Sequence, residues 1–153
     1  MIEFKYVEMT NFLSYGNQPT RFNLDTSESV LIIGRNEDVG DGGEARNGTG
    51  KTGSIQAILF ALYGKGIEPK LKSDDFVNIK NGKKLEVKLV FKKAGKEYTI
   101  IRKRKPASLE LFVDGEPVTL DTMKNTDQFI ESVIGMPYEI FMLTFVMTPH
   151  IDS

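Results

Sequence analysis

The chain has no cysteine and no tryptophan, and its one histidine is His150. Without cysteine there is no disulfide framework and no thiolate metal site. A lone imidazole builds no metal centre without several carboxylates beside it, and the sequence brings none together there. No apolar run approaches the roughly 18–20 residues that a bilayer-crossing helix needs. The opening "MIEFKYVEMTNF" alternates like a strand and does not resemble a secretion signal. These absences leave a domain that must rely on its hydrophobic core. They imply no membrane partner and are compatible with a reducing cytoplasm.

At 153 residues, 40% of them apolar, the chain is one domain's worth and can bury a real core. Its net charge of −1 conceals a segregation. Between residues 80 and 105 stand eleven lysines and arginines against Glu86 and Glu97, so that segment carries +9 and the remainder −10. Asymmetry of this size informs about partners where the total does not.

Residues 2–12 and 20–24 read as strands, and "SVLIIG" (29–34) as a strand buried on both faces. Ile55, Ile58, Leu59, Leu62 and Tyr63 recur at helical spacing and predict a core-facing stripe, with Gly64 as the stop. Residues 65–82 look like a polar connection with a short apolar piece, "DDFVNI". "KLEVKLVFKK", "KEYTIIRKR" and "SLELFVDGEPVTL" predict a meander with turns at "AG" and "DG". "NTDQFIESVIG" predicts a helix capped by Asn125 or Thr126 and ended by Gly135. "PYEIFMLTFVM" predicts a turn of helix that finishes as a strand. The fold class expected is α/β: a mixed sheet with a β-meander and one phosphate-loop helix, forming a single lobe over residues 1–153.

Between the apolar strand and that helix lies "GRNEDVGDGGEARNGTGKTG" (34–53). A triphosphate must be desolvated and matched. Consecutive backbone amides at a helix N-terminus do this, because they lack intrahelical partners and the helix dipole adds favourable potential. Glycines let the backbone wrap closely, a lysine reaches the β and γ phosphates, and Ser or Thr holds magnesium. Gly48, Gly50, Lys51 and Thr52 satisfy the later half of G-x-x-x-x-G-K-[ST], the Walker A pattern. Read contiguously, the first glycine falls on Ala45. If residues 37–47 loop out instead, Gly34, Arg35 and Asn36 join Gly48, Thr49, Gly50, Lys51 and Thr52, followed by Gly53, and every required residue is present. An exposed insertion is thermodynamically mild, since closure entropy grows slowly with length. The insert carries Glu37, Asp38, Asp41 and Glu44 against Arg46, an acidic neighbour for a triphosphate. ATP with Mg2+ is the expected ligand pair.

Magnesium-dependent hydrolysis also needs a carboxylate after an apolar strand. Asp114 ends "LELFVD", but "DG" before "EPV" is a hairpin turn; Asp74 and Asp75 follow a loop and suit capping or solvation. Nothing here completes hydrolysis alone. The basic block admits two roles: outward lysines that keep strands soluble and unpaired, or a duplex-DNA face. The DNA reading nominates Lys83, Lys84, Lys88, Lys92, Lys93, Arg102, Lys103, Arg104 and Lys105, binding phosphates without regard to sequence.

With the loop in place, the chain resembles the amino-terminal lobe of SMC-like recombination and repair ATPases of the SbcC type, a family whose phage members are large subunits of a recombination endonuclease. The matching pieces are "NFLSYGN", "LIIGRN…NGTGKTGSIQAILFALYGKG", "YTIIRKRKP", "LFVDGEPV" and "DQFIESVIGMPYEIFMLTFVM", in the family's order and over nearly the whole chain. The resemblance implies a head that binds ATP, dimerises around it and partners a nuclease on double-stranded DNA. A complementary C-terminal lobe beyond a coiled coil, neither present in this sequence, would supply the rest of the catalytic set. It implies Lys51 on the phosphates, Thr52 on magnesium, and Asn36 or Asn47 near the γ-phosphate. Two departures stand out: the insert 37–47, and "MTPHIDS" where relatives often carry a glutamine. The alternative is a stand-alone DNA- or partner-binding module whose interrupted nucleotide site no longer works.

Overall fold

A computed structural model describes residues 2–24, 44–68, 70–118 and 120–146, the side chains of residues 44–52 and 146 excepted. The expected strand at 29–34, the glycine-loop residues Gly34, Arg35 and Asn36, most of the insert, and "MTPHIDS" lie outside the described residues.

Alternating sequence builds a sheet. Strands β1 (Ile2–Thr10), β2 (Thr20–Asn23), β3 (Leu85–Lys93), β4 (Lys96–Arg104), β5 (Ser108–Val113) and β6 (Glu116–Val118) pair antiparallel in the order β2-β1-β3-β4-β5-β6. The two predicted tight turns are there. Ala94 and Gly95, then Asp114 and Gly115, all take positive φ, which suits two-residue hairpins to the twist of the strands. In β1 the register shifts between Phe4 and Tyr6. Strict alternation from Ile2 and Phe4 would turn Tyr6 and Glu8 inward; the irregularity brings Val7 and Met9 in instead.

The inner face of the sheet (Val7, Met9, Val87, Leu89, Phe91, Ile100 and Leu111 among others) meets helix α1 (Glu44–Tyr63). Ala57 through Leu62 are buried without interruption, so this part of the helix is covered around its circumference. The sheet lies on one side. A cluster of Phe12, Phe60 and Phe76, with ring centroids 5.3–5.7 Å apart, covers another. Phe76 arrives on a short 3-10 turn, Ser73–Phe76, from the apolar piece "DDFVNI" of the connection.

Three expectations need correction. Helix α1 starts at Glu44, before the glycine pair, so the last residues of the 37–47 insert form its first turn. Glu44, Ala45 and Arg46 are good helix formers, and a glutamate at a helix N-terminus complements the dipole. Helix α2 (Met123–Ile134) is capped by Thr122, whose Oγ1 accepts from the Asn125 amide at 3.0 Å, not by Asn125 or Thr126. It ends as expected at Gly135, in the left-handed conformation. After Pro137 the chain forms helix α3 (Tyr138–Phe141) and continues as a π-helical turn, Met142–Val146, in place of the expected strand. Its apolar residues still reach the core: Phe141 packs on Phe4, Tyr63 and Phe145.

Candidate functional site

The candidate nucleotide residues Asn47, Gly48, Thr49, Gly50, Lys51, Thr52 and Gly53 all lie on α1, the helix that the core holds most firmly. Its C-terminal end is tied by several different groups. Gly64, at φ +71°, turns the chain away and donates its amide to Phe60 O at 2.7 Å. Arg102 donates Nε and Nη2 to Ala61 O at 3.2 and 2.9 Å. A cation at a helix C-terminus is favoured by the dipole, and here it also satisfies a carbonyl that the helix leaves open. The same guanidinium pairs with Asp127 Oδ1 at 2.6 Å, fastening α2 to α1. Tyr63 Oη donates to Met136 O at 2.8 Å, and burial raises the pKa of this phenol well above its ordinary value.

Near the other end, Gly53 lies against Tyr15. A Cβ at 53 would fall 2.6 Å from the Tyr15 hydroxyl oxygen and 2.9 Å from its ring, so only glycine lets the ring in. Tyr15 belongs to "NFLSYGN", the loop after β1, and burial raises its pKa too. The loop is held in turn by Asn78, whose Nδ2 donates to Leu13 O and Tyr15 O at 2.8 and 3.1 Å. Tyr15 was not among the residues that sequence reasoning nominated. Its contact with the helix is 38 residues away in the chain, and no local pattern signals it.

Helical geometry has a consequence for phosphate binding. In an α-helix beginning at Glu44, amides from Gly48 onward point at carbonyls four residues back, and the free amides are those of residues 44–47. By type, Gly48, Gly50, Lys51 and Thr52 suit ATP and magnesium. The expected cradle of free amides over Gly48–Thr52 is not formed in this backbone. Glycine in a helix interior is about 1 kcal/mol worse than alanine, so the stretch carries its own bias towards opening.

All three of the considered carboxylates are engaged in structure. Asp114 sits in the β5–β6 turn and accepts from the Glu97 amide at 2.9 Å, as the hairpin reading required. Asp75 accepts from the Lys72 amide at 2.7 Å. Asp74 pairs with Arg104 Nε at 2.6 Å, and that bond holds its pKa below the ordinary value.

The basic block does not form one basic face. Arg102 is 7% exposed and spent on Ala61 and Asp127, so its nomination as a DNA contact is corrected: its position on the inner face turns it under the sheet. Lys93 reaches back to Val133 O. On the outer face, strand pairing places Lys92 between Glu3 and Glu97, Lys88 opposite Glu8, and Lys103 opposite Glu86, with the last pair 4.0 Å apart. Lys88 also lies 5.8 Å from the Tyr6 ring centroid. Arg104 is paired with Asp74, while Lys83, Lys84 and Lys105 are exposed at one end of β3 and β4. Among the described residues no group of three or more His, Asp or Glu side chains could hold a metal ion, and no helix is long and apolar enough to cross a membrane.

Comparison with known proteins agrees with this frame. A family model described as an AAA domain matches residues 6–151. The chain is 33% identical over 144 residues to "Exonuclease subunit 2" of Escherichia phage RB69, covering 92% of this chain and 23% of that protein. It is 27% identical over 143 residues to the "DNA double-strand break repair Rad50 ATPase" of Thermoplasma acidophilum, covering 89% of this chain and 14% of that protein. The chain thus spans less than a quarter of these relatives. Among solved structures it is similar to a Pyrococcus furiosus Smc head domain, with a TM-score of 0.56 at 20% identity, covering 91% of this chain and 35% of that one. With the core helix on its antiparallel sheet and the family model matched along almost the whole sequence, the chain belongs to the AAA domain family and has the P-loop fold of an SMC-like head's amino-terminal lobe.

Proposed function

We propose that this chain is the ATP-binding half of a DNA recombination and repair ATPase head, a single lobe that hydrolyses ATP only with a complementary C-terminal lobe and a second head. The observation that supports this most is the Gly48–Thr52 set, "GTGKT", carried on a helix whose following turns are rooted in the core. Lys51 would hold the phosphates and Thr52 the magnesium, with Asn36 or Asn47 near the γ-phosphate. The partners expected are duplex DNA and a nuclease subunit, in the cytoplasm. The names of the relatives, an exonuclease subunit and a double-strand break repair ATPase, favour that setting.

Mg-ATP affinity of the chain, measured calorimetrically beside that of Lys51→Ala, tests the proposal. Binding by the wild type that the variant loses is the expected result. No binding, or equal binding by both, overturns it. A second reading is a binding module whose nucleotide site is out of use, and the helical backbone through Gly48–Thr52 favours it. Deleting residues 37–47 separates the two: nucleotide binding that appears only after deletion marks the insert as inhibitory.

A further inference from the structure

Ile79 is 94% exposed, more than any other large apolar side chain among the described residues. It is not on a loosely held loop. Asn78 Oδ1 accepts from the Asn81 amide at 3.0 Å, and the Gly82 amide donates to Asn78 O at 2.7 Å. Asn81 Nδ2 donates to Asn11 Oδ1 at 2.6 Å, while Asn11 Nδ2 donates to Lys84 O at 3.3 Å. Asn11 and Asn78 are themselves buried. The 78–84 turn is therefore bolted to the loop after β1, with Ile79 at its tip.

The surroundings of Ile79 identify the partner. Lys80, Lys83 and Lys84 flank it, all exposed, and none enters an ion pair among the described residues. Lys105 adjoins them through the Lys84 amide, which donates to Lys105 O at 2.9 Å. No carboxylate occurs between residues 76 and 85. The nearest in sequence before the turn, Asp74 and Asp75, are taken by Arg104 and the Lys72 amide. A protein-binding hot spot sits in an apolar surround and is poor in lysine. Ile79 has the opposite setting. An exposed aliphatic side chain followed by cations in the same turn is the composition that enters a DNA groove and partly unstacks a base step while lysines hold the flanking phosphates.

We propose that the 78–84 turn is a duplex-DNA contact at which Ile79 wedges against a base step and Lys80, Lys83 and Lys84 hold the adjacent phosphates. This deepens the recombination reading and rests on it for the duplex as partner. It does not depend on nucleotide binding.

The test uses a duplex with 2-aminopurine near its end, titrated with the 153-residue chain at several salt concentrations without ATP. The wild type should bind and raise the 2-aminopurine emission. Ile79→Ala should lose that rise and bind roughly fivefold more weakly with the same salt slope, and Ile79→Leu should restore both. Changing Lys80, Lys83 and Lys84 together to Gln should lower the log–log salt slope by roughly 3, at about 0.9 per phosphate contact. Wild-type binding with a steep salt slope but indifference to Ile79→Ala would overturn the wedge and leave the recombination reading standing. No duplex binding by the wild type would overturn the wedge together with DNA as partner, while the Mg-ATP experiment would still decide the nucleotide site. Binding of a protein through Ile79 without any response from the duplex would also overturn it.

Discussion

The two ends of helix α1 are built on different principles. Towards its C-terminus, Ala57 to Leu62 are buried on all sides, Phe60 packs at a tilt against two other phenylalanines, and Arg102 ties the Ala61 carbonyl to Asp127. That end is over-determined: several independent contacts would have to fail for it to move. Towards its N-terminus, Gly48, Gly50 and Gly53 fall within six residues, and each weakens the helix. The contrast suits a nucleotide site. A loop that must give its amides to phosphate cannot be strongly committed to hydrogen bonds of its own, yet it has to hang from something that does not shift.

The largest expected effect comes from breaking the anchored end. Arg102→Met removes a buried guanidinium and leaves Ala61 O without its donors and Asp127 without its partner. The loss should be about 2–3 kcal/mol in a urea unfolding titration, below the upper range for fully buried pairs because Asp127 is partly solvated. A midpoint unchanged from wild type would show that the anchor is dispensable.

Glycine substitutions sharpen the contrast with smaller effects of opposite sign. Gly50→Ala should stabilise the chain by up to about 1 kcal/mol by favouring helix, and should weaken Mg-ATP binding for the same reason. Gly53→Ala should destabilise by about 1–3 kcal/mol because its Cβ meets the Tyr15 ring, and Tyr15→Ala in the same chain should recover part of the loss. If both alanines shift the unfolding midpoint the same way, the Tyr15 contact does not set Gly53 apart from Gly50.

The smallest effect concerns pH. Asp74 lies on the 3-10 turn that delivers Phe76 to the anchored end, and its hydrogen bond with Arg104 depresses its pKa. A carboxylate with a lowered folded pKa adds stability that is present above its ordinary range and is lost as pH falls through the lowered value. NMR titration should find Asp74 below its ordinary value in the wild type and restored in Arg104→Gln. Equal values in the two proteins would remove the pairing from the account.

Much of the fold is legible in the sequence because it rests on local periodicity. The "AG" and "DG" dipeptides specify two turns, alternation specifies the meander, and Ile58, Leu59 and Leu62 fall in the stretch of α1 that is buried all round. The failures share a cause. "IFMLTFVM" is apolar enough for a strand or a helix, and its contacts with Phe4 and Tyr63, not its pattern, accompany the helical outcome. The start of α1 at Glu44 was hidden because a glycine-lysine motif suggests a loop, while the residues before it favour helix. In the candidate site, "GTGKT" announces its chemistry by residue type. The cations of residues 80–105 mislead when counted along the chain, since strand pairing brings Glu3 and Glu8 from β1 to face them.

Sequence alone determined the family, the "GTGKT" motif and the strand-and-turn rhythm, because each is written in neighbours a few positions apart. Tertiary structure alone decided which cations remain available, that Arg102 lies beneath the sheet, that Tyr15 seals Gly53, and that Ile79 stands out from a fixed turn. Those outcomes depend on groups tens of residues apart meeting in space. Burial, charge pairing and steric exclusion act across that space, and no local pattern records them.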